Sequence, residues 1–202
     1  LAAPDKYNRN AWDDNDTNDE QWPYRVKFSG TDLLGNVTIP EGDPTDVETS
    51  LEVSLDASSE SYPLHTFNLL NDGVMEKIAK AFKLQPSEIA SATLETGVVK
   101  AEGFTGPADG KVAVGLTNPD GSVSYAYSAN GIGFWIAADG TASSWGDAPI
   151  YYEYDAVGYG LTVGHNPGHS EKGKTYTIKP TMVYNKGGKL HKAVITIKMK
   201  FA

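Results

Sequence analysis

The segment "HKAVITIKMKF" (191–201) limits the possible folds of this chain more than any other stretch. Ala193, Ile195, Ile197, Met199 and Phe201 alternate with Lys192, Val194, Thr196, Lys198 and Lys200. A period of two sends successive side chains to opposite faces of a strand, so one face is apolar and the other meets water. Such a strand is stable only when its apolar face is covered by a second layer. The period recurs upstream. Tyr24, Val26 and Phe28 share a face, with Arg25 and Lys27 opposite. Residues 35–39 read as a second short strand, and Leu51, Val53 and Leu55 alternate with Glu52, Ser54 and Asp56. Further strands are expected at 111–117, 122–128, 133–138, 142–146, 149–154, 159–163, 174–184 and 189–201. "NPDG" (118–121), "ADGT" (138–141) and "NKGG" (185–188) place Gly where a turn needs a positive φ.

One short helical segment near 71–91 interrupts the strands. Asn71 or Asp72 can cap it, and Met75, Ile78, Ala79 and Phe82 recur at helical spacing. Pro86 stops it and opens a further turn of helix, with Glu88 near the positive end. The expected fold is mainly β, an antiparallel β-sandwich or jelly roll with that one helical segment. Residues 1–46 read as an N-terminal extension with short strands, and 47–202 as the main β-sandwich domain. A single continuous domain over 22–202 is the alternative.

Composition narrows the class. Of 202 residues, 40% are hydrophobic and 21% charged, which suits a folded protein. There is no cysteine, so disulfide and thiolate chemistry are excluded. No apolar run approaches the roughly 20 residues that cross a bilayer. The chain starts "LAAPDKYN", without Met. We expect a processed chain whose signal peptide or lipidated cysteine has been removed, so that a lipid anchor outside it is its only membrane link.

The net charge of -9 is uneven. Residues 1–60 hold fourteen acids and four bases, whereas 171–202 hold eight lysines and one acid, Glu171. The basic end reads as the solvent face of a strand, where lysines also oppose edge-to-edge aggregation. In an acidic, nearly arginine-free chain it does not point to nucleic acid.

From about residue 75 onward the chain resembles a family of extracellular domains of unknown function (DUF4859-like) from gut Bacteroidetes. The resemblance rests on Leu84, Glu88 and Ile89; on Gly133, Trp135 and Gly140, with Ile136 where Phe is usual; on the Trp145-Gly146 pair; and on Gly164, Pro167 and Gly168. Lys83 replaces the usual Gly and His165 the usual Gln. The resemblance implies a β fold and an extracellular or outer-membrane surface location in a Gram-negative bacterium, on secreted proteins or lipoproteins. It implies no activity and no catalytic residues.

Three constellations could carry chemistry. In "YYEYD" (151–155), Tyr151, Glu153 and Asp155 share one strand face. Carboxylates at i and i+2 have Cα atoms about 6.6 Å apart, a distance glycosidases use. They point in parallel, however, where a glycosidase pair must flank the bond from opposite sides. In "GHNPGHSEKG" (164–173), His165, His169 and Glu171 are candidate metal ligands, but "NPGH" is first a turn. In "DDNDTNDE" (13–20), Asp14, Asp16 and Asn18 begin a calcium-loop spacing. That spacing fails at Asp19, where Gly is expected, and at Arg25, where the bidentate Glu belongs. Calcium is therefore a weak candidate, and no cofactor is expected. No Walker loop, Rossmann fingerprint, G-x-S-x-G or H-E-x-x-H occurs.

Eleven tyrosines and four tryptophans remain. Tyr125, Tyr127, Tyr152 and Tyr154 alternate like core. Trp135, Tyr151 and Tyr159 are candidate ligand-stacking aromatics, with Glu153 and Asp155 as hydrogen-bond partners, and Trp12 and Trp22 are weaker candidates. The hairpin "GFWIAADGTASSWG" (133–146) allows two registers. A two-residue turn at Asp139-Gly140 makes Trp145 core and turns Trp135 outward. A three-residue turn puts both tryptophans on one face. The expected function is a non-catalytic surface or secreted module that contacts glycans. The rival is a structural or protein-interaction module with a surface-protein partner, and a glycoside hydrolase is third.

Overall fold

A computed structural model describes residues 36–94, 98–125, 132–155 and 157–202. The strand expected at 24–28, Trp12, Trp22, Tyr127 and the acidic segment with Asp14, Asp16 and Asn18 lie outside them.

The described chain runs β1 (Val47–Leu55), β2 (Pro63–Asn68), α1 (Val74–Phe82), α2 (Pro86–Leu94), β3 (Val98–Ala101), β4 (Phe104–Pro107), β5 (Val112–Thr117), β6 (Val123–Tyr125), β7 (Ile132–Ile136) and β8 (Ala142–Ser143). It continues through β9 (Ile150–Asp155), β10 (Gly160–His165), β11 (Thr175–Ile178), β12 (Pro180–Lys186) and β13 (Lys189–Phe201). A six-stranded sheet has the order β1-β13-β12-β5-β6, with β11 also on β13. A five-stranded sheet has the order β2-β10-β9-β7-β8, and β3 and β4 form a separate hairpin. The pairings are antiparallel except that of β1 with β13.

The alternation in 191–201 does what its period requires. Ala193, Ile195, Ile197, Met199 and Phe201 are all buried in the main core. That core also takes Ile136, Ile150, Tyr152, Leu161 and Val163 from the other sheet, and Met75, Ile78 and Phe82 from α1. It is therefore the filling of a two-layer sandwich. The Tyr152 hydroxyl crosses it and donates to the Gly115 carbonyl at 2.7 Å, which satisfies a buried phenol and ties the layers together. A smaller cluster of Ala113, Tyr125 and Val183 lies on the other face of β5 and β12. The β3–β4 hairpin meets it, and Tyr125 donates to the Thr105 carbonyl.

Several expectations change in detail. The strand expected at 174–184 is split into β11 and β12 at Lys179. Pro180 has no N–H to continue the ladder, and β11 and β12 pair with different halves of β13. The strand expected at 35–39 reduces to one bridging residue, Val37. The Gln85 carboxamide holds it on both sides: Val37 N–H donates to Gln85 Oε1 at 2.9 Å, and Gln85 Nε2 donates to the Val37 carbonyl at 3.0 Å. The helical segment is two helices. The first starts after Gly73, not at Asn71 or Asp72. The carboxamide of Asn68 instead accepts from the N–H groups of Leu70 and Asn71. Helix α1 ends at Lys83, which is left-handed with φ 60 and donates its N–H to Ala79. Glycine is the usual occupant of such a cap because it lacks the Cβ that makes the conformation costly. Among the described residues no helix is long and apolar enough to cross a membrane.

Candidate functional site

The strands of the five-stranded sheet alternate between the core and an outer face. Ile150, Tyr152 and Tyr154 point inward, so Tyr151, Glu153 and Asp155 point outward. Cross-strand pairing then builds the outer face row by row. Tyr151 pairs with Trp135 of β7 on one side and Gly164 of β10 on the other, and Trp135 pairs with Ser143. Glu153 lies between Gly133 and Thr162, and Thr162 pairs with Thr66. Asp155 lies beside Gly160.

The first row is aromatic. The Trp135 and Tyr151 rings are 4.8 Å apart at an interplanar angle of 44°. Tyr62, just before β2, reaches the Trp135 ring edge-on at 6.2 Å. The pit for Tyr151 is made by Gly164, where a Cβ would stand 2.6 Å from the Tyr151 ring and 2.0 Å from the Tyr62 carbonyl. Tyr62 is 40% exposed, Trp135 is half-buried, and Tyr151 is only 8% exposed because its neighbours cover it. Burial and the charge of Glu153 push the Tyr151 phenol up to about 12. The tyrosine thus stays neutral, with an O–H able to donate, beside a carboxylate able to accept.

The second and third rows are polar. Glu153 is exposed. Thr66 and Thr162 share a hydrogen bond at 2.8 Å. Asp155 accepts from the Val157 N–H at 3.0 Å, so one of its oxygens holds the 157–159 turn. Glycines at 133 and 160 leave the face shallow on both sides of the two acids.

The structure brings Trp135, Tyr151, Glu153 and Asp155 onto one surface. It does not bring Tyr159 there. Tyr159 precedes Gly160 in the turn, adopts φ 54 and packs against the main core. The left-handed backbone at Tyr159 closes the turn into β10, its carbonyl accepts from the Leu69 N–H, and the ring is held against the core instead of the outer face. Tyr62 belongs to the aromatic row and escaped the sequence reading. β2 carries too little alternation to be seen, and nothing local showed that Tyr62 would reach Trp135.

The hairpin takes the three-residue form. Ala137 N–H donates to the Thr141 carbonyl, Ile136 pairs with Ala142 and Trp135 with Ser143. Gly140 has φ 92, and Asp139 Oδ1 accepts from both the N–H and hydroxyl of Thr141. This corrects the reading of Trp145 as core: it is 58% exposed. The chain must pass from β8, outside β7, to β9 on the other side of β7, and Trp145 sits in the turn that begins this passage. Its carbonyl accepts from Asn166 Nδ2 at 3.0 Å.

His165 and His169 do not meet. His165 is fully buried, stacked on Phe201, with Nε2 3.0 Å from the Ser59 carbonyl and Nδ1 2.6 Å from Ser170 Oγ. A carbonyl only accepts, so Nε2 carries a proton and Nδ1 is left to accept from Ser170. Neither nitrogen is free for a metal, which removes His165 as a ligand. His169 is exposed in the adjoining turn. A Gln amide would offer the same one donor and one acceptor at this position. Among the described residues no group of three His, Cys, Asp or Glu side chains could hold a metal ion.

A cleft of about 490 Å³ lies between the tips of the β5–β6 and β7–β8 hairpins, lined by Asn118, Asp120, Ser122, Asp139 and Thr141. Its two carboxylates are occupied. Each accepts a hydroxyl and an N–H from the residue two positions on, Ser122 or Thr141, and these bonds hold both below the usual Asp range. The cleft is built from turn chemistry.

Fold and face together define a two-sheet β-sandwich module with one aromatic and acidic outer surface. Residues 61–189 match the family described as Domain of unknown function (DUF4859), and the chain belongs to that family. Residues 1–35 match a second family, described as Family of unknown function (DUF6055). No curated protein and no solved structure matches the chain.

Proposed function

We propose that this chain is a non-catalytic secreted or cell-surface module that holds glycans on the outer face of the β2-β10-β9-β7-β8 sheet. The observation that carries the reading is the row Tyr62–Trp135–Tyr151 lying directly beside Glu153 and the Thr66–Thr162 pair. Aromatic faces stack on the C–H faces of pyranose rings, and adjacent carboxylates and hydroxyls bond sugar hydroxyls. Glu153 and Asp155 leave one strand side by side, which suits holding a sugar and not cleaving it, since hydrolysis needs carboxyl groups on both sides of the bond. A glycan array probed with wild type, Trp135→Ala and Tyr62→Ala tests the reading. We expect binding by wild type and its loss in Trp135→Ala, with the thermal midpoint of each variant confirming that it folds. Absence of binding by wild type to every glycan would overturn it. The exposed Trp145 and Val157 favour a second reading, a protein-interaction module.

A further inference from the structure

We infer that this face, if it binds glycans as proposed above, selects by charge: it takes neutral, hydroxyl-rich pyranose chains and rejects chains bearing carboxylate or sulfate groups. The five strands that build it are IGFWI, AS, IYYEYD, GLTVGH and PLHTFN. They hold no Lys and no Arg. Their acids, Glu153 and Asp155, are both exposed and both on the outer face. The histidines do not offset them. His165 points into the core and is fully buried. His65 pairs with inward-facing Val163 and lies against Phe67, on the side of the sheet away from Glu153. In the other sheet β12 and β13 carry lysines, so between the strands of the two sheets the lysines fall on the other one.

Most proteins that bind acidic polysaccharides use Lys or Arg to neutralise them, because a desolvated anion needs a partner. Here an incoming uronate or sulfate would meet two fixed carboxylates and no cation from the sheet. At about 6 Å in water each carboxylate weakens binding of an incoming anion about threefold, and the two together about tenfold at low salt. Glu153 is the stronger determinant, because Asp155 already spends one oxygen on Val157. Aromatic stacking is indifferent to salt, so neutral chains keep their affinity when ionic strength rises.

The test uses backbone-matched polymers, hydroxyethyl cellulose against carboxymethyl cellulose and neutral xylan against glucuronoxylan. Binding by wild type and by the Glu153→Gln/Asp155→Asn double variant is measured at low and at high salt. We expect the neutral member of a pair to bind about tenfold tighter at low salt. The gap should close at about 1 M salt, where the Debye length is about 3 Å, and close at low salt in the double variant. Equal binding of both members at low salt overturns the charge selection and leaves glycan binding standing. A gap that persists in the double variant also overturns it. If no polymer and no arrayed glycan binds, the glycan reading falls and takes this inference with it.

Discussion

The two sheets share one core but present opposite outer surfaces. The outer face at β1 and β13 is paired charge: Glu52 and Lys200 form an ion pair across neighbouring strands, with Lys198 aligned on Glu52. The outer face of the five-stranded sheet has aromatics, glycine pits, threonines and two acids, with no Lys or Arg in its described strands. One surface is balanced by residues that could be exchanged freely. The other depends on close approaches that fix particular atoms. Substitutions should therefore be felt very unequally on the two sides, even at similar exposure.

The largest effect is expected at Gly164. A Cβ there would lie 2.0 Å from the Tyr62 carbonyl, so Gly164→Ala must push β2 or Tyr151 aside. We expect a loss of about 3 kcal/mol, or about 10 °C in the thermal midpoint. Gly146→Ala meets nothing within 4 Å and should change little, so similar losses at both sites would break the contrast.

Alkali should come next. Tyr151, raised from its ordinary 10.0 to about 12, and Tyr152 and Tyr154, pushed up by burial, all lie on β9. Their unfolded forms ionise near pH 10.0 while the folded forms stay neutral, so their contribution is intact below that pH and is lost as pH rises towards 12. The unfolding free energy should fall by about 2 kcal/mol for each of the three tyrosines over this window. Phenolate absorbance should show late ionisation of part of the eleven tyrosines. A single early titration of all of them with unchanged stability would contradict this.

Tyr152→Phe removes the hydrogen bond between the sheets, at a cost of about 1 kcal/mol in urea unfolding. The smallest effect belongs to the charged surface. Glu52→Gln breaks an exposed pair whose carboxyl lies below its usual range because Lys200 donates to it. We expect no measurable shift in the unfolding midpoint. A clear loss would mean that both faces are equally constrained.

Much of this was legible in the residues. Period two gave β13 with its exact ends, and parity placed Tyr151, Glu153 and Asp155 on one face. The hairpin register was not legible, because Asp-Gly fits either turn length. The decision rests on the Asp139 carboxylate capturing Thr141 and on Gly140 taking the left-handed position, both settled only on folding. Tyr62 and the β3–β4 hairpin were missed because their value lies in contacts distant in sequence, with Trp135 in one case and with Tyr125 and Leu190 in the other. The Lys83 and His165 departures have local accounts. The first sits in a cap where glycine would be easier, and the second keeps one donor and one acceptor.

The parallel pairing of β1 with β13 has a mechanical consequence. The two strands run side by side in the same direction over nine residue pairs, from Val47 beside Ala193 to Leu55 beside Phe201. The polypeptide therefore enters β1 at one pole and leaves β13 at the other. Tension applied before residue 47 and after residue 201 pulls these neighbours in opposite directions along their length. Every hydrogen bond between them is then loaded together, in shear, and none can be peeled off singly. Single-molecule stretching should record one abrupt high-force rupture, where peeling would give a low, drawn-out extension. The module behaves as a clasp in any longer chain under strain, holding its outer face in shape until the whole strand pair gives way.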